Sequence, residues 1–281
     1  MRKAEVTELV HAATALATTH EAGTVPYALF DADGTLWAFD IANRLFEHLV
    51  RERLLKAEAL PALQHALSTS GLATHGDATA CFSRLLSAYD QGAADEHLTF
   101  ATMIRALAGF SLSELDAVHE RAMAVPTEAQ GELFPEMRVL FRELQAAGIR
   151  VYVCSASPLW TVHYGLALCG LKADAVRAAA TQVVAGRITD VLIEPMTYRE
   201  GKLAVAMRDF GGPPLIGFGD SRGDVAFLAA SQIAVCVNAR PALLDAARGF
   251  AGQVFELRCP RTENGALVKM PERDVATDSP T

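Results

Sequence analysis

The 281-residue chain contains no uninterrupted apolar run of about 18 residues, so no membrane-spanning helix is expected. An excess of basic residues is lacking as well. Lys and Arg total 25 against 33 Asp and Glu, a formal charge of −8, which repels a phosphate backbone at long range and argues against general nucleic-acid binding. A local site can still override that mean field for a small anion. The five cysteines (Cys81, Cys154, Cys169, Cys236 and Cys259) are odd in number and widely scattered. They fit neither a disulfide framework nor a zinc cage, and point to reduced thiols in a cytoplasm. No signal-peptide core is present, because Glu5 and Glu8 interrupt the segment after Arg2 and Lys3. The histidines, among them His75, His97, His119 and His163, show no metal-ligand spacing, and no internal repeat is found. What remains is a chain that is 51% hydrophobic and 21% charged. That is far too apolar for disorder, and enough for one large domain or a core with a cap.

Three short apolar runs, Tyr27 to Phe30, Ile149 to Cys154 and Leu215 to Phe218, read as buried strands, and Ile233 to Val237 adds a fourth. Helical stretches separate them, which predicts an α/β fold with a Rossmann-like parallel sheet covered on both faces. Ligands of such sheets sit beyond the carboxyl ends of the strands. An N-terminal helix is expected within residues 1–23, with Gly23 as its stop, and the core within 24–40 and 135–258. Residues 41–134 read as helices broken at Pro61, Gly71 and Gly76, including Ile41 to Leu54 behind Asp40 and Leu112 to Met123 behind Ser111. A helical block of that length exceeds a simple crossover and predicts an inserted all-α cap. Residues 259–281 read as a polar, frayed tail.

The chemistry-bearing residues lie where the strands end. The first runs into Asp31-Ala32-Asp33-Gly34-Thr35, and Gly34 permits a turn that brings both carboxylates to one point. One could then attack while the other moves protons; an ordinary Asp-Gly turn is the alternative. The second strand runs into Ser155-Ala156-Ser157, where a hydroxyl and backbone N–H groups could hold an oxyanion. Lys202 stands at the start of a helical stretch from Leu203 to Phe210, a position suited to phosphate but also to a solvated lysine. The third strand ends in Asp220-Ser221-Arg222-Gly223-Asp224, either an acidic metal loop or a capping loop.

In this order and placement, the combination resembles the haloacid dehalogenase-like hydrolase superfamily, over about residues 24–40 and 135–258. The resemblance implies Asp31 as the nucleophile of an aspartyl-phosphate and Asp33 as general acid/base. It implies Ser155, with the Ala156 N–H, and Lys202 as phosphate-binding groups. Asp220 and Asp224 form the magnesium loop, with Mg²⁺ held by the Asp31 carboxylate, the Asp33 carbonyl and Asp220, and Asp224 standing behind them. An acid two residues after the nucleophile is needed to protonate an alkoxide and activate water, so a phosphatase is favoured over a dehalogenase.

A helical cap after the first strand looks like that of the phosphoserine phosphatase and phosphorylcholine phosphatase branch, which implies a small soluble phosphomonoester enclosed under a lid. Asp40, nine residues after Asp31, matches a substrate-amine contact and is equally a helix N-cap. Trp37 and Trp160 could form an aromatic cage for a choline- or ethanolamine-like head, or be core. The interval from Asp31 to Ser155 is longer than in compact phosphoserine phosphatases, and the loop lacks the asparagine those enzymes place before the last acid. The expected partner is therefore a small phosphorylated metabolite, with no nucleic acid and no membrane. A phosphotransferase passing the group to an alcohol, or a catalytically silent binding module, are the alternatives.

Overall fold

The computed structural model describes residues 2–3, 5–18, 25–124, 134–259, 261–263 and 266–268. The chain begins with β1 (Arg2–Lys3), α1 (Val6–Thr18) and β2 (Tyr27–Phe30). Five helices follow: α2 (Ile41–Arg51), α3 (Leu60–Thr69), α4 (Ala78–Asp90), α5 (Glu96–Arg105) and α6 (Leu112–Ala122). Then come α7 (Pro135–Ala146), β3 (Arg150–Pro158), α8 (Leu159–Leu168), β4 (Ala175–Ala179), β5 (Thr181–Val184) and β6 (Arg187–Leu192). The last segments are α9 (Glu200–Phe210), β7 (Ile216–Gly219), α10 (Val225–Ala230), β8 (Ile233–Val237), α11 (Pro241–Ala247), β9 (Gln253–Leu257), β10 (Arg261–Glu263) and β11 (Ala266–Val268).

Seven strands form one parallel sheet in the order β1-β9-β8-β7-β2-β3-β4, so the expected α/β core is present. Alternation along each strand sends side chains to two separate layers. Ala28, Phe30, Val151, Val153, Ile216 and Phe218 join the larger core cluster with α1, α7 and α8. Tyr27, Leu29, Tyr152 and Cys154 face the other way, against α9, α10 and α11. Phe30 stacks on Phe218 at 4.2 Å between ring centres, which locks the central pair of strands in register. β2 sits in the middle, with β3 on one side and β7 on the other. The chain order reverses there, and the carboxyl end of β2 opens onto a crevice.

Helices α2 to α6 pack on one another and contain the buried residues Phe46, Leu63, Phe82, Leu85 and Leu115. Their starts follow the capping rules: Asp40, Asp77 and Asp95 each accept a backbone N–H three residues on, and Ser111 with Glu114 forms a capping box. The first of these helices stops at Arg51, three residues before the expected Leu54, as Arg53 takes a positive φ of 53°. Pro61 opens α3 rather than breaking a helix.

The β5–β6 ribbon is not apparent from the sequence pattern. It is tied to the helical block by backbone bonds between Gly109 and Ile188 and between Ile188 and Phe110, both 2.9 Å. No helix among the described residues is long and apolar enough to cross a membrane. The expected stop at Gly23 lies outside the described residues, as does most of the 259–281 tail. Within that tail, the backbones of β10 and β11 pair antiparallel.

Candidate active site

Position along β2 already sets the direction of Asp31. Tyr27 and Leu29 face α9, and Asp31 continues that alternation one step past the strand. Lys202 reaches the same point from the first turn of α9, and both residues are buried. The Lys202 Nζ donates to Asp31 Oδ1 at 2.6 Å and to Asp224 Oδ1 at 2.7 Å. Burial works against the ammonium, but Asp224 and Asp31 outweigh it and raise its pKa, so Lys202 stays charged. Burial, followed by repulsion from Asp224, raises Asp31 well above the usual carboxylate range, while Lys202 pulls it back. The Thr35 hydroxyl donates to Asp31 Oδ2 at 3.3 Å.

The loop after β7 supplies the other two acids. Asp224 is fully buried, and its Oδ2 accepts the N–H groups of Asp220 and Ser221 at 3.1 and 3.0 Å, so it fixes the loop as well as the lysine. Asp220 is 3% exposed, and its pKa is pushed up to about 6 by burial and Asp224, against the pull of Arg240. The Arg240 Nε lies 3.2 Å from Asp220 Oδ2. Two glycines make this closeness possible. A Cβ on Gly34, whose φ is +76°, would stand 2.4 Å from Asp220 Oδ2, and one on Gly219 would stand 2.6 Å from Asp224 Cβ.

Asp31, Asp220 and Asp224 present oxygens that all lie within 4.8 Å of one another. Lys202 serves Asp31 and Asp224, and the exposed Arg240 serves Asp220, so three buried carboxylates face two cations. One positive charge is missing, and oxygen-only donors suit a hard divalent cation. Since Asp224 is committed to Lys202 and the loop backbone, Asp31 and Asp220 have the oxygens to offer.

Asp33 is held differently. Its Oδ1 accepts the Trp37 indole N–H at 2.7 Å and the Ile41 N–H at 2.8 Å, and its Oδ2 accepts the Ser157 hydroxyl at 2.5 Å. These bonds favour the anion, yet burial and the nearby Asp40 charge push its pKa up to about 6. A carboxylic acid that titrates near neutrality can both give and take a proton. The Ser155 hydroxyl accepts the Ser157 N–H at 3.1 Å, and the Ser155 carbonyl accepts from Thr197 at 2.6 Å.

The strand ends and the α9 start open onto a cavity of about 480 Å³. Asp31, Asp33, Asp40, Ser155, Ala156, Lys202 and Asp220 line it, and Asp224 lies directly behind. Asp40 caps α2 through the Asn43 N–H at 2.8 Å and also borders the cavity. The two tryptophans are elsewhere: Trp37 is fully buried and spends its indole N–H on Asp33, and Trp160 packs against the core. Neither lines the cavity, whose aromatic surface comes instead from Phe46, Tyr89, Phe100 and Tyr198. Sequence reasoning missed Ser157 and Arg199. Ser157 lay in the quoted Ser-Ala-Ser and could have been found as a partner for Asp33. Arg199 precedes Lys202 by three residues and pairs with Glu96 of α5, a contact no local pattern encodes.

Residues 28–229 match the haloacid dehalogenase-like hydrolases, and the chain belongs to that family. Over 182 residues it is 29% identical to phosphoserine phosphatase SerB2 of Mycobacterium tuberculosis (strain ATCC 25618 / H37Rv), a match covering 63% of this chain but only 42% of that protein. Among solved structures, a protein of unknown function from Bordetella pertussis Tohama I is 23% identical. It aligns over 83% of this chain and 98% of its own at a TM-score of 0.63. A HAD family hydrolase from Salmonella enterica serovar Typhi is 14% identical over 85% of this chain and 74% of its own, with a TM-score of 0.52. Both share the fold.

Proposed function

We propose that the protein is a Mg²⁺-dependent phosphatase that hydrolyses a small phosphomonoester through a phosphorylated Asp31. The observation that carries this reading is the Lys202 ammonium, set between Asp31 and Asp224 with Asp220 alongside. A carboxylate can approach an anionic phosphoryl group only where positive charge is fixed around both.

In the first step an Asp31 carboxylate oxygen forms a bond to phosphorus as the ester P–O bond breaks. The Ser155 hydroxyl, the Ala156 N–H and Lys202 hold the phosphoryl oxygens. Asp33, protonated at the start, gives its proton to the departing alkoxide. Asp33, now ionised, takes a proton from water, whose oxygen attacks the acyl-phosphate and releases inorganic phosphate from Asp31. Asp31, Asp220 and the Asp33 carbonyl are the groups that would hold Mg²⁺, which supplies further positive charge against the phosphoryl oxygens.

Helices α2 to α6 act in this reading as the cap over residues 24–40 and 135–258, closing the cavity from above. An amine-bearing ester such as phosphoserine or phosphorylcholine finds Asp40 and Glu96 on the cavity wall, although the tryptophan cage is not part of it. The five free, buried thiols support a reducing, cytoplasmic setting. The test is phosphate release from an aryl phosphate with and without Mg²⁺, beside a beryllium-fluoride adduct on Asp31. Release that is lost on chelation, restored by Mg²⁺ and absent in Asp31→Asn is expected. Transfer to an added alcohol without phosphate release would make the enzyme a phosphotransferase, and no Mg²⁺ binding or turnover would leave a silent binding module.

A further inference from the structure

The cavity does not end at the catalytic groups. A second one, of about 560 Å³, adjoins it, and both are lined by Arg199, Arg222 and Ala242. These three residues form a saddle between the site of ester cleavage and the outer pocket. Their charges are not equivalent. Lys202 is consumed by Asp31 and Asp224, Arg199 by Glu96, and Arg240 by Asp220. Arg222 is exposed and has no side-chain ion pair or hydrogen bond among the described residues. It sits in the loop between Asp220 and Asp224, whose backbone is pinned by Asp224, so its base is fixed while its guanidinium is free.

Resting on the phosphatase reading, we infer that the leaving group is elongated and carries a second anionic group, a carboxylate or a phosphate, which Arg222 binds on the saddle between the two cavities. In a chain of net charge −8, an unpaired guanidinium carried on a pinned loop and lining both cavities selects an anion. Arg199 borders the same saddle, but its guanidinium is engaged by Glu96. The outer pocket is also lined by Val225, Ala226 and Ala246 and by the acids Glu200 and Asp245. Those acids repel an anion inside the outer pocket, which favours the saddle for the second charge. Arg222 is not among the phosphoryl-binding groups Ser155, Ala156 and Lys202, so an acidic ester needs a chain long enough to span from them to the saddle.

Three series of probes of increasing chain length test this with Mg²⁺ present: n-alkyl phosphates, ω-carboxyalkyl phosphates and α,ω-alkanediol bisphosphates. The readout is the ratio of kcat/KM between each acidic probe and the alkyl phosphate of equal length, in wild type and in Arg222→Gln. The expected wild-type ratio is near one for the shortest members and rises by about tenfold once the chain spans the saddle, as one charge-assisted pair allows. In Arg222→Gln the ratio returns toward one. The carboxylate and bisphosphate arms tell which anion is preferred. A ratio near one at every length, or a preference that survives in Arg222→Gln, overturns the inference while turnover of the alkyl phosphates upholds the phosphatase reading. Turnover of none of the three series removes that reading and the inference with it.

Discussion

The floor of the cavity is made of strand ends, and its far wall is made of helices α2, α4 and α5. On the floor, Asp31, Ser155 and Asp220 come from three adjacent parallel strands, whose register fixes their spacing before any side chain packs. Ion pairs and backbone bonds then hold each acid, and burial moves their pKa values. On the wall, Asn43, Phe46, Tyr89, Glu96 and Phe100 come from three helices, held in place by side-chain packing and by the half-buried Glu96–Arg199 pair. A strand end places charge to within the accuracy of a hydrogen-bonded ladder, whereas a helix surface offers shape that small repacking can alter. The two regions should therefore fail differently: floor variants in the chemical step, wall variants in substrate choice.

The largest effect is expected at Asp31. Asp31→Asn removes the nucleophile and should lower kcat for an aryl phosphate by about 10³-fold or more. It also deletes one of three crowded negative charges, so thermal stability should not fall. A variant with wild-type kcat would end the nucleophile assignment. Asp33→Asn comes next, with a loss of about 10²-fold in kcat and a smaller change in KM, as expected for a group that only moves protons. If either variant changed KM alone, the distinction between floor and wall would collapse.

Much of the floor was legible in the sequence because a parallel strand leaves a local trace. Tyr27–Phe30 and Ile233–Val237 were placed to the residue, and Asp31, Asp33, Lys202, Asp220 and Asp224 all lie in or directly behind one cavity. Each sits just after an apolar run or at a helix start, so eight or ten residues were enough to find it. The wall was not legible. Glu96 and Arg199 meet across 103 residues, and the Phe100–Tyr198 ring contact spans almost as many. The same reason hid β4 and the β5–β6 ribbon, whose strands are mixed in burial and alternate poorly. Trp37 was left open between cage and core because a buried indole and a binding indole look alike in sequence; it is buried, and its partner is the nearby Asp33.

Stability gives a third, intermediate contrast. Asp33 and Asp220 titrate at about 6 in the folded protein against an ordinary value of 3.8. A folded-state pKa raised above the unfolded one means that the native state binds the proton more tightly. The contribution of these two acids to stability without metal should then fall as pH rises from about 4 through about 6 and level off above, while Asp31, also raised, continues the same downward trend. Added Mg²⁺ should raise Tm more at pH 7 than at pH 5, since it binds the ionised cluster. Melting curves at both pH values, with Mg²⁺ or chelator, check this. An equal Tm gain at both would mean that the acid cluster is not where the cation binds. On the wall, Glu96→Gln frees Arg199 and should change KM several-fold, with kcat within about threefold.

Asp40 tests the boundary between the regions, because it stands where the floor loop becomes α2. It caps that helix, borders the cavity, and its charge contributes to the high pKa of Asp33. Asn caps a helix about as well as Asp, so Asp40→Asn should leave stability within a few tenths of a kcal/mol. Removing the negative charge lets Asp33 ionise more easily, and since Asp33 must start protonated, the alkaline limb of the kcat/KM profile moves to lower pH. Because burial is the larger cause of the Asp33 shift, that movement should be a fraction of the whole. A substrate role adds a separate signature: KM for an amine-bearing ester rises several-fold while KM for a neutral ester stays constant. If the pH limb moves and both KM values hold, Asp40 serves the floor alone, tuning Asp33 from the helix cap. If both KM values rise together, the α2 end shapes the cavity without reading the amine.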